Sequence, residues 1–464
     1  MKQFRLTPWI LLVLLSLASA VSAKPNFVII FCDDLGYGDL SCFGHPTIHT
    51  PHLDQMASEG QKWTSFYVAA SVCTPSRAGL LTGRLPIRNG MCSDKRRVLF
   101  PDSAKGLPQS EITIAEGLKS AGYATAAVGK WHLGHLPEFL PTAQGFDSYY
   151  GIPYSNDMDR IPNKGPKGRA GLMKPESAYW NVPLMRGTEI LERSPNQAYL
   201  TRNYTREAVS FIERQAETPE PFFLYLAHSM PHVPIFASGA FSGTSHAGRY
   251  GDVIEEIDWS VGEVLKTLRE HELDKDTVVV FTSDNGPWLP FKTHGGSSGH
   301  LRDGKGSTWE GGMREPTVFW GPGHVKPGMV HEMGSTLDLL PTFLDLAGVT
   351  MPGDRIYDGA SLAPVIAQRG NSPRQEMFFY HGAQLYAVRL GEYKLHFKTK
   401  TSYTGEQAVV HDSPLLYHLG HDPSEKFDVA GEHPEVVAAI TKLAEKHKNS
   451  FVAPANHLDE RISN

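Results

Sequence analysis

Cysteine is scarce in this chain: Cys32, Cys42, Cys73 and Cys92 are the four among 464 residues, all in the first quarter. That argues against a disulfide framework as the source of stability, and leaves open whether any two of Cys32, Cys42 and Cys92 are paired. Long apolar runs are equally rare. The run from Trp9 to Leu17 follows Lys2 and Arg5 and precedes the small residues Ala18, Ala20, Ser22 and Ala23. It is too short for a comfortable membrane span and has the order of a secretory signal. Residues 1–23 are therefore expected to be a cleaved export signal, with no integral membrane segment after them. Nor is there an excess of basic residues, since Lys and Arg number 44 against 50 Asp and Glu, for a net charge of −6. A general nucleic-acid binder is disfavoured by that balance.

What is present is an alternation of β-branched runs with segments of helical period, the pattern of a mostly parallel sheet covered by helices. Strands are expected at Asn26 to Cys32, Ala124 to Gly129, Phe222 to Ala227, Thr277 to Ser283 and Pro316 to Trp320. Helices are expected at His52 to Gly60, Ile112 to Ala121, Tyr199 to Gln215, Tyr250 to His271 and Leu337 to Ala347. After about residue 350 the pattern shortens to Glu376 to His381, Leu385 to Leu390, Tyr393 to Phe397 and Leu415 to Leu419, followed by a helical stretch from Pro434 to His447. This predicts an α/β catalytic domain over 24–350 and a smaller subdomain over 351–464, an antiparallel sheet plus a helix. Arg160 to Pro175 and Lys400 to Ser413 are rich in Gly, Pro or polar residues and are expected to be surface loops.

In open parallel sheets ligands bind beyond the carboxyl ends of the strands, so the residues following each strand carry the most information. Here they are Asp33-Asp34, Lys130-Trp131-His132, His228 with Pro231-His232-Val233-Pro234, and Asp284-Asn285-Gly286. Asp33, Asp34, Asp284 and Asn285 supply hard oxygen ligands, which suit calcium or magnesium rather than zinc. Either pair alone would read as an ordinary turn; two pairs at strand ends point to a cation site. His45, His49 and His52 cluster without the pattern of a zinc site, and His294 and His300 receive no role.

The remaining signal is Cys73-Thr74-Pro75-Ser76-Arg77, followed by Leu81-Thr82-Gly83-Arg84. Pro75 fits a first helical turn and Gly83 a helix end, which places Cys73 at a helix N-terminus. Alone, Cys73 would be read first as a buried structural cysteine. The motif resembles the signature of the formylglycine-dependent sulfatases, in which this cysteine is oxidised to formylglycine. The likeness extends to Asp33-Asp34-Leu35-Gly36-Tyr37-Gly38, Gly129-Lys130-Trp131-His132, Gly151-Ile152-Pro153-Tyr154-Ser155, Gly304-Lys305-Gly306 and Glu310-Gly311-Gly312-Met313-Arg314-Glu315-Pro316. It is strongest to the arylsulfatase A type, of the alkaline phosphatase-like superfamily.

The resemblance implies one calcium ion held by Asp33, Asp34, Asp284, Asn285 and modified residue 73. It further implies that Arg77 holds that residue, that Lys130, Ser155, His232 and Lys305 grip the sulfate, and that His132 sits beside the formylglycine hydroxyls. On this reading Asp284 assists the attacking hydroxyl, His232 with Lys305 protonates the departing oxygen, and His132 takes the second hydroxyl's proton. Asn156 stands where the family often has histidine, Cys32 where alanine is common, and Asp303 where arylsulfatase A has a cysteine. The implied partners are a sulfated small molecule, glycan or glycolipid and a formylglycine-generating enzyme. The implied location is periplasmic or extracellular, or lysosomal in a eukaryote. The rivals are a phosphomonoester or phosphonate hydrolase of the same superfamily and a non-catalytic protein that binds sulfated glycans. Selection among substrates is expected from loops such as Arg160 to Arg186 and Phe236 to Arg249.

Overall fold

Asn26–Asp33 (β1) is buried at every position, as expected of a strand with helices on both faces. Its odd and even side chains feed two different cores. Phe27, Ile29 and Phe31 pack with Leu339, Leu340 and Phe343, while Val28, Ile30 and Cys32 pack with residues of the helices Leu200–Ala216 and Gly248–Glu270. In this computed structural model, residues 24–403 and 405–463 are described. The expected export signal at 1–23 lies outside them. No helix among the described residues is long and apolar enough to cross a membrane.

The other strands of the large sheet are Gln61–Tyr67 (β2), Ala124–Lys130 (β3), Ser148–Ile152 (β4), Pro183–Arg186 (β5), Glu189–Arg193 (β6), Phe222–Pro231 (β7), Thr277–Ser283 (β8), Thr317–Trp320 (β9) and Gly328–Ser335 (β10). They lie in the order β10-β2-β9-β8-β1-β7-β3-β4-β5-β6. From β8 to β4 the pairing is parallel throughout, whereas β9, β5 and β6 run antiparallel to their neighbours. The expected mixed, mostly parallel sheet between helices is therefore present. All five expected strands occur within a few residues of their bounds; β2, β4, β5, β6 and β10 were not anticipated.

A second sheet follows: Glu376–His381 (β11), Gln384–Leu390 (β12), Tyr393–Thr399 (β13) and Val409–His418 (β14), antiparallel in chain order. The helix Pro434–Lys448 packs on it through Ile440 and Ala444. Two expected loops are partly regular. Arg169–Met173 forms a short helix inside Arg160 to Pro175, and β14 starts at Val409, inside Lys400 to Ser413.

The two sheets are joined by buried charge. Lys394 Nζ on β13 lies 2.9 Å from Glu310 Oε1 and 3.1 Å from Glu425 Oε1, all three side chains being fully buried. Glu425 Oε2 also accepts from the Glu310 backbone N–H at 2.7 Å, and Tyr67 donates to Glu310 Oε2 at 2.5 Å. Removing one member of such a cluster strands the others without a partner in a medium of low dielectric. Lys394→Met is accordingly expected to cost about 3–5 kcal/mol of stability, measured by urea unfolding. Burial opposes ionisation of Glu310, but Lys394, Arg314 and Arg389 overcome it and hold the carboxyl at about 2. Because that lies below its ordinary 4.5, Glu310 contributes stability that is present above pH 4.5 and lost as the pH falls toward 2.

Candidate active site

Five neighbouring strands, β8, β1, β7, β3 and β4, place their carboxyl ends side by side, and the polar residues of the sequence converge there. Two strand exits turn through the left-handed region at residues other than glycine: Asp34 with φ 69° and His132 with φ 61°. Side chains rarely tolerate that conformation, and it concentrates at functional sites. Just before the second exit, Gly129 is obligatory, because a Cβ there would lie 1.8 Å from the Ala227 carbonyl oxygen.

Cys73 is the first residue of the buried helix Cys73–Thr82, which Gly83 closes in the left-handed conformation with its N–H on the Gly79 carbonyl. The thiol donates to Asp33 Oδ1 at 3.4 Å and accepts from Lys305 Nζ at 3.6 Å. Burial and then the Asp33 charge push this thiol well above its usual range, so it is held protonated. Thr74 fastens the helix start to the next strand exit, donating to the His132 carbonyl at 2.9 Å and accepting from the Leu99 N–H at 3.2 Å.

Three carboxylates and three cations interlock around the thiol. Lys130 Nζ is paired with Asp33 and donates to Ser155 Oγ at 3.2 Å. Lys305 Nζ donates to Asp34 Oδ2 at 2.9 Å. Arg77 donates from Nε to Asp284 Oδ2 at 3.0 Å and from Nη1 to the Lys130 carbonyl at 3.0 Å, with Asp33 Oδ1 3.8 Å from Nη2. Burial works against the charge of Asp33, yet the cations Lys130, Arg77 and Lys305 outweigh it and hold that carboxyl well below the usual range. At Asp34 and Asp284 burial prevails, lifting them to about 6 and about 7.

The two histidines have defined tautomers, because a carbonyl can only accept. His132 bonds the Leu99 carbonyl through Nε2 at 2.9 Å, which leaves Nδ1 as a buried lone pair with no partner among the described residues. His232 bonds the Val233 carbonyl through Nδ1 at 2.6 Å, so Nε2 faces Asp34 Oδ2 at 3.7 Å and Ser155 Oγ at 3.4 Å. Burial, followed by Lys130 for His132 and by Lys305 for His232, keeps both rings neutral.

Asp33, Asp34, Cys73 and His232 each present a ligand-capable atom within 4.8 Å of the others. Asp284 stands beside this group and is tied to it by the Asp34 N–H, which donates to Asp284 Oδ1 at 3.2 Å. Asn285 donates to Asp34 Oδ1 at 2.7 Å, while its own Oδ1 is a buried acceptor with no partner among the described residues. Buried carboxylates beside an orphaned amide oxygen fit a hard divalent cation, and the donor set matches calcium or magnesium.

Two neighbours of the site were given no role from the sequence. Trp288 lies under Lys305, with Nζ 4.3 Å from the ring, and beside His232. Its place directly after Asp284-Asn285-Gly286-Pro287 was the available clue. Asn156, standing where the family often has histidine, donates to Gln197 Oε1 and to the Pro234 carbonyl, both at 3.0 Å, and so holds loops together. All four cysteines are free.

A buried cysteine at a helix start, with cations around it and two neutral histidines at neighbouring strand exits, is an arrangement suited to chemistry on an anionic ester. A sulfatase family model matches residues 25–349, and one for the C-terminal region of aryl-sulfatase matches residues 372–463. The chain is 42% identical to human arylsulfatase A, over 94% of this chain and 90% of that one. It is 40% identical to mouse N-acetylgalactosamine-6-sulfatase, over 94% and 88% respectively. The crystal structure of the PsFucS1 sulfatase from Pseudoalteromonas sp. superposes with a TM-score of 0.81 at 30% identity, covering 92% of this chain and 90% of that one. The chain belongs to the sulfatase family, and it is a sulfuric ester hydrolase of the arylsulfatase type.

Proposed function

We propose that sulfate monoesters are cleaved at residue 73 after oxidation of Cys73 to formylglycine, beside one calcium ion held by Asp33, Asp34, Asp284 and Asn285. On the same reading residues 1–23 direct export to the periplasm, the extracellular space or a lysosome, residues 24–350 form the catalytic domain and 351–464 its companion, and a formylglycine-generating enzyme matures the chain. The observation that carries the proposal is the thiol itself, fixed between Asp33 and Lys305 yet held protonated by burial. A thiolate nucleophile is disfavoured there, and a side chain that does not depend on thiol ionisation is favoured. Formylglycine, once hydrated, supplies two hydroxyls on one carbon, the first to attack sulfur and the second to expel sulfate.

The bound calcium would add positive charge where the ester oxygens lie. The chain's own residues supply the rest. Lys130 and Lys305 neutralise the sulfate oxygens from two sides, and Ser155 orients one of them. Arg77 fixes the Asp284 carboxylate, whose second oxygen can accept a proton from an attacking hydroxyl. Lys305 brings a proton to the departing oxygen. His232 Nε2 must collect one before it can share that task, and an anionic ester beside it favours the protonated ring. His132 Nδ1, with its lone pair unengaged, is the base for the second hydroxyl.

Paired rates on para-nitrophenyl sulfate and para-nitrophenyl phosphate, with mass spectrometry of the peptide spanning residue 73, test the proposal. Sulfate turnover is expected to exceed phosphate turnover by about 100-fold or more, and the peptide to carry an aldehyde. Full-rate hydrolysis by chains whose thiol persists would refute it.

A further inference from the structure

A cleft of about 520 Å³ opens beside the nucleophile, floored by Ser71, Val72 and Pro75, and walled on its far side by β11 and β12 of the C-terminal sheet. It touches neither Arg160 to Arg186 nor Phe236 to Arg249, the loops from which substrate selection was expected. Lys95, Arg97 and Lys400 line it. Arg97 is the most constrained. Its guanidinium stacks on Tyr403 at 4.4 Å from the ring centre, and its Nη1 is buried without a hydrogen-bond partner among the described residues. A second orphaned atom, His381 Nε2, is buried on the opposite wall. The acid of the cleft, Asp94, is already engaged, accepting from the Ala383 N–H at 2.9 Å and from Gln384 Nε2 at 3.1 Å. A buried guanidinium N–H without an acceptor costs free energy that an incoming anion would return.

The cleft is also coupled to the reacting centre. Gly306 lines it, immediately after Lys305, and donates to the Ser71 carbonyl at 2.8 Å. A Cβ on Gly306 would lie 3.4 Å from Arg97 Nη1. Arg97 therefore stands next to the backbone that carries Lys305, the lysine proposed above to grip the sulfate. From this geometry we propose that the cleft is a subsite for the leaving-group side of the substrate, in which Arg97, supported by Lys95 and Lys400, binds a second anionic group such as a sugar carboxylate. The inference rests on the sulfatase mechanism above and narrows its substrate to saccharides carrying more than one negative charge.

The test compares kcat/KM for a sulfated disaccharide whose unsulfated ring bears a carboxylate with that for the same compound reduced to the alcohol. The wild-type enzyme is expected to prefer the carboxylate by about tenfold or more, with Arg97→Ala abolishing the preference and Arg97→Lys retaining part of it. A preference that survives in Arg97→Ala, or an equal fall on both compounds, would overturn the subsite. Calorimetric binding of the desulfated, carboxylate-bearing disaccharide to wild type and Arg97→Ala reads the cleft without turnover. Arg97-dependent binding without ester hydrolysis would support the subsite and count against the catalytic mechanism alone. Binding that ignores Arg97 would count against the subsite.

Discussion

Cys73→Ser is expected to lose steady-state turnover of para-nitrophenyl sulfate by about ten-thousand-fold, while keeping its fold and its melting temperature. The substitution is nearly isosteric, and a hydroxyl can still donate toward Asp33 and accept from Lys305, the two contacts the thiol makes. The helix start held by Thr74 is untouched. A loss of rate would therefore report chemistry and not packing. A serine has a single oxygen: it can take sulfate once, but has no second hydroxyl on the same carbon to expel it. One sulfate per chain should consequently remain on residue 73 after incubation with substrate, detectable in the mass of its peptide. Cys73→Ser enzyme that turns over at the wild-type rate would show that formylglycine is not needed.

The strand exits were legible because they combine two strong signals, a buried β-branched run and an abrupt polar pair, as at Ile29-Ile30-Phe31-Cys32-Asp33-Asp34. β4 lacked the first signal: Ser148–Ile152 mixes tyrosines and glycine with exposed and buried positions, so Ser155 rested on family likeness. β6 is exposed along its whole length and β10 along much of it, which leaves no burial pattern to read. Lys305 sits in a long glycine-rich segment with no periodicity. What places it is a set of long-range bonds, including that of Ser402 Oγ to its carbonyl and of the Ser402 N–H to Asp303 Oδ2 at 2.9 Å. Sequence proximity says little at Lys95-Arg96-Arg97, whose members take different partners. Arg96 pairs with Asp102, while Arg97 turns to Tyr403 and the cleft.

Exhaustive chelation of divalent ions should raise KM and depress kcat for aryl sulfate by about 100-fold together in kcat/KM, and should lower the melting temperature by several degrees. The reason lies in the charge balance of the resting site. Asp33, Asp34 and Asp284 are matched by Arg77, Lys130 and Lys305, so the chain alone presents an approximately neutral cavity to an anionic ester. Within it, Lys130, Arg77 and Lys305 keep Asp33 ionised, while burial and the Asp33 charge lift Asp34 and Asp284. Adding a divalent ion next to the orphaned Asn285 oxygen would make the cavity doubly positive and satisfy that acceptor at once. Restoring calcium at about 100 times its Kd would return about 2.7 kcal/mol of stability, read as a rise in melting temperature that needs no substrate. Asn285→Leu should weaken that rise, since it removes the oxygen and leaves the carboxylates in place. Zinc should be a poor replacement, because the donors are mainly oxygen. A chain that keeps its rate and its melting temperature after every divalent ion has been removed would mean that the three ammonium and guanidinium groups suffice alone.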